Sequence, residues 1–346
     1  MNEWIEDLAD LSAADERIVI VTVAGIRGSA PREVGAKMLV TAADTIGTIG
    51  GGQLEYQCTR LAVGMLESDT APAIQTFPLG AAMGQCCGGV VEILFEPVAA
   101  DDASWIRELQ ALHGQREAAV LVTAIGARHK SVVTADKVFG AAATAEIAFA
   151  RELLGSGGTA TLHAGDSRDC LYEPIVNPDF NIAVFGAGHV GSAVVASLAQ
   201  LDCNIRWIDS RRHIFRAAPR NARTIETTEP ALEVTAMPAG SFYLVMTHSH
   251  ALDFDICDRI LRRNDARYCG LIGSRSKRRR FEKRFREQGM PDVLIESLVC
   301  PIGVDGISGK KPAEIAVAVA AELLQAREQT RKVAAPRALP DNVRPI

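Results

Sequence analysis

The sequence predicts an α/β protein of two domains: an N-terminal α/β domain with α+β-like character, then a Rossmann-like doubly wound domain built on a parallel sheet. Three observations carry this. The chain has 346 residues, about two domains' worth. Strand-like and helix-like segments alternate along it. In the second half, the strand-like Asn181–Phe185 runs into Gly186-Ala-Gly188-His-Val-Gly191, and a second strand ends in Asp209. Gly186 suits a tight turn, Gly188 lets a pyrophosphate approach the backbone, and Gly191 lets helix and strand pack closely. The helix start then offers free N–H groups to an anion. Asp209 stands where an acid would accept the ribose hydroxyls of a dinucleotide.

Taken in order, Ile18–Ile26 and Lys37–Val40 read as strands and Leu54–Leu66 as a helix. Val90–Phe95 is a strand and Ser104–Leu112 a helix. Val120–Ile125 and Val132–Thr134 are strands, Ala142–Leu154 a helix and Thr159–His163 a short strand. Pro174 and Pro178 bracket a linker, so the domains are expected over residues 1–174 and 178–333. The second domain continues with strands at Asn204–Ile208, Phe242–Thr247, Cys269–Ile272 and Leu298–Cys300. Residues 334–346 carry three prolines and no periodicity, and read as a loosely ordered tail. No internal repeat is evident.

Composition narrows the function. Residues are 48% hydrophobic and 23% charged, which excludes wholesale disorder. The net charge of −5 argues against general nucleic-acid binding. The acidic N-terminus lacks a signal-peptide order and no run of 18 apolar residues occurs, so a cytoplasmic protein without a membrane span is expected. Its eight cysteines then read as reduced thiols.

Several segments carry candidate chemistry. Arg32 and Lys37 place two cations in or beside a glycine-containing loop, and Gly50-Gly51-Gly52 enters a helix. Three glycines in a row make sense where backbone N–H groups crowd around a phosphate, or where loop packs tightly on loop. Gln85-Cys86-Cys87-Gly88-Gly89 sets a thiol beside flexible glycines. Cys87 reads either as a small buried apolar residue or as a thiolate suited to a soft metal or sulfur species. His248 and His250 follow a strand end and read as acid–base groups or metal ligands. The bland alternatives are a helix cap and a simple hydrogen-bond contact. Arg275–Arg286 holds eight basic residues in twelve, with Phe281 and Phe285 four apart. It reads as an amphipathic helix whose basic face is solvated, or turned to an anionic ligand or an acidic partner.

Taken together these segments resemble the XdhC/CoxI family of xanthine dehydrogenase accessory proteins. The first block is Gly28–Val40, Gly47–Gly52 with Leu54-Glu55, and Gln85–Gly89. The second is Val184–Gly191, Met246–Asp253, Gly270–Lys277, and Pro301-Ile-Gly303 with Asp305. The resemblance implies a cytoplasmic, homodimeric chaperone of the molybdenum cofactor (molybdopterin) that is not itself an enzyme. Such a protein holds the cofactor while a cysteine desulfurase supplies its sulfido ligand, then inserts it into apo-xanthine dehydrogenase. Cofactor contacts are expected from Arg32, Lys37, the Gly50–Gly52 run, Cys87 and Gly88. In the second domain they are expected from Gly186, Gly188, His189, Gly191, Asp209, His248 and His250. Cys87 is the candidate neighbour of the molybdenum. The alternative is an NAD(P)-dependent oxidoreductase that uses the Rossmann domain, with His248 or His250 as its acid.

Overall fold

A computed structural model describes residues 3–67, 71–80, 88–98, 103–127, 130–165, 168–176 and 178–334. The tail beyond 334 lies outside the described residues, as does Cys87. Two compact units meet in sequence between Asn177 and Pro178.

The first unit contains two five-stranded antiparallel sheets. Helix α1 (Glu3–Ala13) precedes β1 (Val19–Arg27), β2 (Lys37–Val40) and β3 (Thr45–Gly47). Helix α2 (Gly52–Met65) leads to β4 (Ala73–Pro78) and β5 (Val90–Pro97). The series then restarts: α3 (Ala103–Gln115), β6 (Ala119–Ala124), β7 (Lys130–Val133), β8 (Val138–Phe139), α4 (Thr144–Ser156), β9 (Thr161–Ala164) and β10 (Asp169–Ile175). The sheets run β3-β2-β1-β5-β4 and β8-β7-β6-β10-β9, the same order twice. The first unit is therefore an internal duplication, contrary to the expectation of no repeat.

The repeat is faint in sequence because few positions carry it. Lys37-Met-Leu-Val-Thr-Ala42 matches Lys130-Ser-Val-Val-Thr-Ala135, and Trp4-Ile5 with Leu8 matches Trp105-Ile106 with Leu109. These residues build two equivalent buried clusters. Lys37 Nζ donates to Thr22 Oγ1 (2.8 Å) and Glu173 Oε1 (2.5 Å), and lies 5.0 Å from the Trp4 ring centroid. Lys130 Nζ donates to Thr123 Oγ1 (2.8 Å), lies 2.6 Å from Glu96 Oε1, and is 4.9 Å from the Trp105 centroid. Each lysine thus takes its carboxylate from the other repeat. One apolar core spans both repeats, with Ile5 and Leu8 of α1, Trp105 and Leu109 of α3, and strand residues such as Ile20, Leu39, Leu121 and Ile175.

The strands absent from the sequence reading include edges: β3, β4, β8 and β13 (Ala222–Glu226) close their sheets. Most of their side chains are not buried, so they lack the apolar runs that betray interior strands. The linker expectation is corrected at its start. Pro174 and Ile175 belong to β10, where they pair with Val120 and Ala119. Strand β9 pairs only as far as Tyr172, so Pro174 faces no ladder on that side and its missing N–H costs nothing there.

The second unit holds six parallel strands: β11 (Asn181–Phe185), β12 (Asn204–Asp209), β13, β14 (Phe242–Val245), β15 (Tyr268–Leu271) and β16 (Leu298–Val299). Their order, β13-β12-β11-β14-β15-β16, is the 3-2-1-4-5-6 arrangement of a dinucleotide-binding sheet. Alternate strand residues feed two cores. Ala183 and Phe185 meet α6 (His250–Arg263) and α7 (Arg275–Glu287), whereas Ile182 and Val184 meet α5 (His189–Leu198) and α9 (Pro312–Ala334). Helices cover both faces, as the sequence predicts. Phe281 and Phe285 of α7 stack with Phe254 of α6, so the narrow stripe of that basic helix is core. Among the described residues, no helix is long and apolar enough to cross a membrane.

Candidate functional site

The duplication supplies an internal control for the first unit, since whatever the scaffold itself requires should occur in both repeats. Of the connections that differ, three contain the glycine-rich motifs. The β1–β2 connection spans residues 28–36, against 125–129 in the second repeat. The β4–β5 connection spans 79–89, against 165–168. The entry to α2 is Gly47–Glu55 with its glycine run, whereas the entry to α4 is Gly140-Ala-Ala-Ala-Thr-Ala-Glu146, two residues shorter.

These three connections converge. A Cβ on Gly50 would lie 2.7 Å from Pro31 Cβ and 3.4 Å from Arg32 Cγ. A Cβ on Gly28 would lie 3.2 Å from Gly89 Cα, and one on Gly89 would collide with the carbonyls of Ser29 and Arg27. Gly50, Gly51 and Gly52 have φ of 125°, 73° and 65°, a region that side chains disfavour. The alanine at the start of α4, Ala143, has an ordinary φ of −70°. The triglycine geometry is therefore particular to the first repeat.

Glu55 is named in the motif block, but its role is seen only in the structure. Its Oε2 accepts hydrogen bonds from the Thr48 hydroxyl (2.5 Å), Ile49 N–H (2.9 Å) and Gly51 N–H (3.0 Å). Gly50 N–H donates to Thr48 Oγ1 (3.1 Å). Two of the N–H groups expected to cradle a phosphate are thus held within the chain, that of Gly51 by the Glu55 carboxylate and that of Gly50 by the Thr48 hydroxyl. Burial pushes the Glu55 carboxyl upward, but the hydrogen bonds from Thr48, Gly51 and Ile49 outweigh it and hold it below the usual range. The second repeat turns the same kind of residue back: Glu146 accepts from Ala143 N–H (2.8 Å) and pairs with Arg168 at 2.7 Å. Only the spacing from Gly51 to Glu55 hints at this in the sequence.

Of the other expected contacts in this unit, Arg32 is beside the glycine loop and pairs with Glu33 at 3.1 Å. Among the described residues, and chain neighbours aside, nothing lies within 4 Å of a Cβ position on Gly51 or Gly88. Lys37 is a correction: it is the first residue of β2, and its ammonium is buried against Glu173.

In the second unit, Gly186 has φ of 120° and faces the Met246 carbonyl, while a Cβ on Gly191 would strike the Gly186 carbonyl. Gly188 is the N-cap of α5 with open space beside it, and His189 is exposed as the first residue of that helix. Asp209 does not stand open for a ribose. Its Oδ2 accepts from Ala187 N–H (2.7 Å) and Arg211 Nη2 (2.8 Å), and its Oδ1 from Arg211 N–H and Nε, both at 2.9 Å. Burial would raise this carboxyl, but Arg211 and the Ala187 N–H lower it from 3.8 to about 2. Its stabilising effect is therefore complete above the unfolded value and fades as pH falls through about 2. Asp209→Asn should lower the second unit's melting temperature at pH 7. Its curve should merge with wild type near pH 2, and a constant gap down to that pH would refute the assignment.

His248 and His250 are exposed at the β14–α6 turn, and Ser249, not a histidine, caps α6. The turn is fixed from below: Asp253 accepts from Thr247 N–H (3.0 Å), Thr247 Oγ1 (2.7 Å) and Lys277 Nζ (2.6 Å). Among the described residues, no group of three or more His, Cys, Asp or Glu side chains is placed to hold a metal.

Six described cysteines, 58, 170, 203, 257, 269 and 300, are buried. Burial pushes the thiols of Cys58 and Cys203 up to about 12, and burial with Glu146 raises Cys170 to about 11. They should resist a thiol-exchange reagent at pH 7.5 until the protein is unfolded. Mass mapping of rapidly labelled native protein checks this, and early label on any of the six would contradict it.

Fold and loops define a two-unit protein in which a duplicated antiparallel unit presents a glycine-rich loop cluster and a Rossmann unit follows. Residues 11–78 match the model of the XdhC and CoxI family, and residues 182–323 match that of the XdhC Rossmann domain. The chain belongs to the XdhC/CoxI family. A Bacillus subtilis protein described as a probable xanthine dehydrogenase subunit is 23% identical over 327 residues, 92% of this chain and 96% of that protein. An uncharacterized Escherichia coli protein, YqeB, is 30% identical over 150 residues, 42% of this chain and only 27% of that protein's length. The crystal structure of a protein described as a xanthine dehydrogenase from Bacillus halodurans has the same fold. Its TM-score is 0.73 at 22% identity, over 96% of this chain and 98% of that one.

Proposed function

We propose that this chain is a xanthine dehydrogenase accessory protein that binds the molybdenum cofactor as cargo. It holds the cofactor while a cysteine desulfurase supplies the sulfido ligand, and passes it to the apo-enzyme. One observation carries the reading: the three glycine-rich connections, each different in the second repeat, pack together, although the second repeat folds without them. Family membership supports the partner, because the B. subtilis relative is described as part of a xanthine dehydrogenase. The cargo is an anionic pterin dithiolene, which the Arg32 guanidinium and the backbone at Gly88 suit. Because Glu55 holds the Gly51 N–H and Thr48 holds the Gly50 N–H, the pterin phosphate is not assigned to them. Cys87 is the proposed soft contact to molybdenum, and a homodimer is the proposed assembly.

The test is purification from cells that make the cofactor, followed by acid iodine oxidation and pterin fluorescence. A stoichiometric signal is expected. Cys87→Ser should fold normally but retain or deliver less cofactor, and equal retention and delivery would remove the thiol from the site. The absence of both co-purified pterin and binding in titration would overturn the proposal.

NAD(P) binding is the second reading, favoured by the sheet order and the open space at Gly188. It requires Arg211 to release Asp209, and calorimetry with NAD, NADH, NADP and NADPH separates the two.

A further inference from the structure

The Rossmann unit contains a cavity of about 600 Å³ near the β16 edge of its sheet, the opposite edge from β12 and β13. That volume lies within the range of small-molecule sites. Two sequence segments that the Gly186 turn does not use supply its walls. Gly270–Lys277 contributes Arg275, and the segment from Pro301 to Asp305 contributes Gly303 and Asp305.

Its lining holds three arginines (275, 278 and 279) and three carboxylates (Glu282, Asp305 and Glu322), but they are unevenly paired. Arg278 Nε donates to Glu282 (2.7 Å), so that pair is internally neutral. Glu322 is engaged by the Tyr268 hydroxyl and the Gly303 N–H, both at 2.6 Å. Arg275 and Arg279 have no ion-pair partner among the described residues, and both are exposed. They lie one turn apart on α7, so two like charges share one face. Arg275 opens the helix, where the dipole disfavours a cation, and the first turn contains no acid. An entering anion would relieve both repulsions.

We infer that this cavity binds a small molecule bearing a phosphate monoester, gripped by Arg275 and Arg279. Two guanidiniums match the charge and the fork geometry of a phosphate dianion. Asp305, which also lines the cavity, repels a second negative group, so the ligand's body is neutral or presents N–H donors. None of its residues belongs to the loop cluster assigned to the molybdenum cargo, and binding is read out without that cargo.

The experiment is calorimetric titration of the intact protein with inorganic phosphate and pyrophosphate at low ionic strength. Wild type should bind one equivalent of either. Arg275→Gln/Arg279→Gln should weaken binding at least tenfold. Arg280→Gln/Lys283→Gln removes the same charge from the same helix but outside the cavity lining, and should leave binding within about twofold. Asp305→Asn should tighten binding severalfold. No binding by wild type, equal losses in the two double variants, or weaker binding by Asp305→Asn would each overturn the inference. Circular dichroism confirms that every variant is folded.

Discussion

Replacing Lys37 with methionine is expected to be the most destabilising single change in the first unit. The Lys37 and Glu173 side chains are 4% and 5% exposed, and each repeat supplies one of them. Removing the ammonium strands the carboxylate in the core, a loss of about 3–5 kcal/mol for a buried pair broken on one side. The melting temperature should fall by about 6–20 °C, since each kcal/mol moves a domain of this size by about 2–4 °C. The double variant Lys37→Met/Glu173→Leu should recover most of that loss, because no charge is then left unpaired. Lys130→Met should behave in the same way through Glu96, as the duplication requires. Thermal denaturation of the four chains settles the matter. A mild effect from Lys37→Met alone would mean that the pair is not buried as described.

The second large effect concerns binding rather than stability. Grafting Gly140–Glu146 in place of Gly47–Glu55 should give a folded protein whose melting temperature stays within a few degrees of wild type. The grafted segment already performs this structural job in the second repeat, where Glu146 turns back onto the start of α4 as Glu55 does onto the start of α2. Pterin retention should drop to background in the oxidation assay. The graft removes three positive-φ glycines and the contact of Gly50 with Pro31 and Arg32. Undiminished retention by a folded graft would show that the glycine run is scaffold after all and would move the search to the other two loops.

Much of the Rossmann unit is legible in the sequence. The strand expected at Asn181–Phe185 has those bounds, and the close packing of Gly191 against Gly186 is the one its position implies. Residues a few positions apart encode such features, and the period of apolar side chains reports them directly. The first unit is less legible. Its edge strands lack apolar runs, and β10 contains a proline. Its duplication rests on two short matching stretches more than ninety residues apart, inside otherwise divergent sequence.

The site residues divide in the same way. Arg32 and the glycines at 50–52 are where their loops imply, whereas Lys37 reads as a free cation because nothing nearby in sequence reveals Glu173. Asp209 reads as an open acceptor, although Arg211 two positions later folds back onto it with two hydrogen bonds from its guanidinium. By itself the sequence determined the class of the interior elements it revealed, the glycine turn of the Rossmann sheet and the family. Only the tertiary structure decided which charges are free. A buried donor or acceptor is satisfied by whichever group the fold delivers within about 3 Å, and that group can come from a distant strand, as Glu173 does for Lys37.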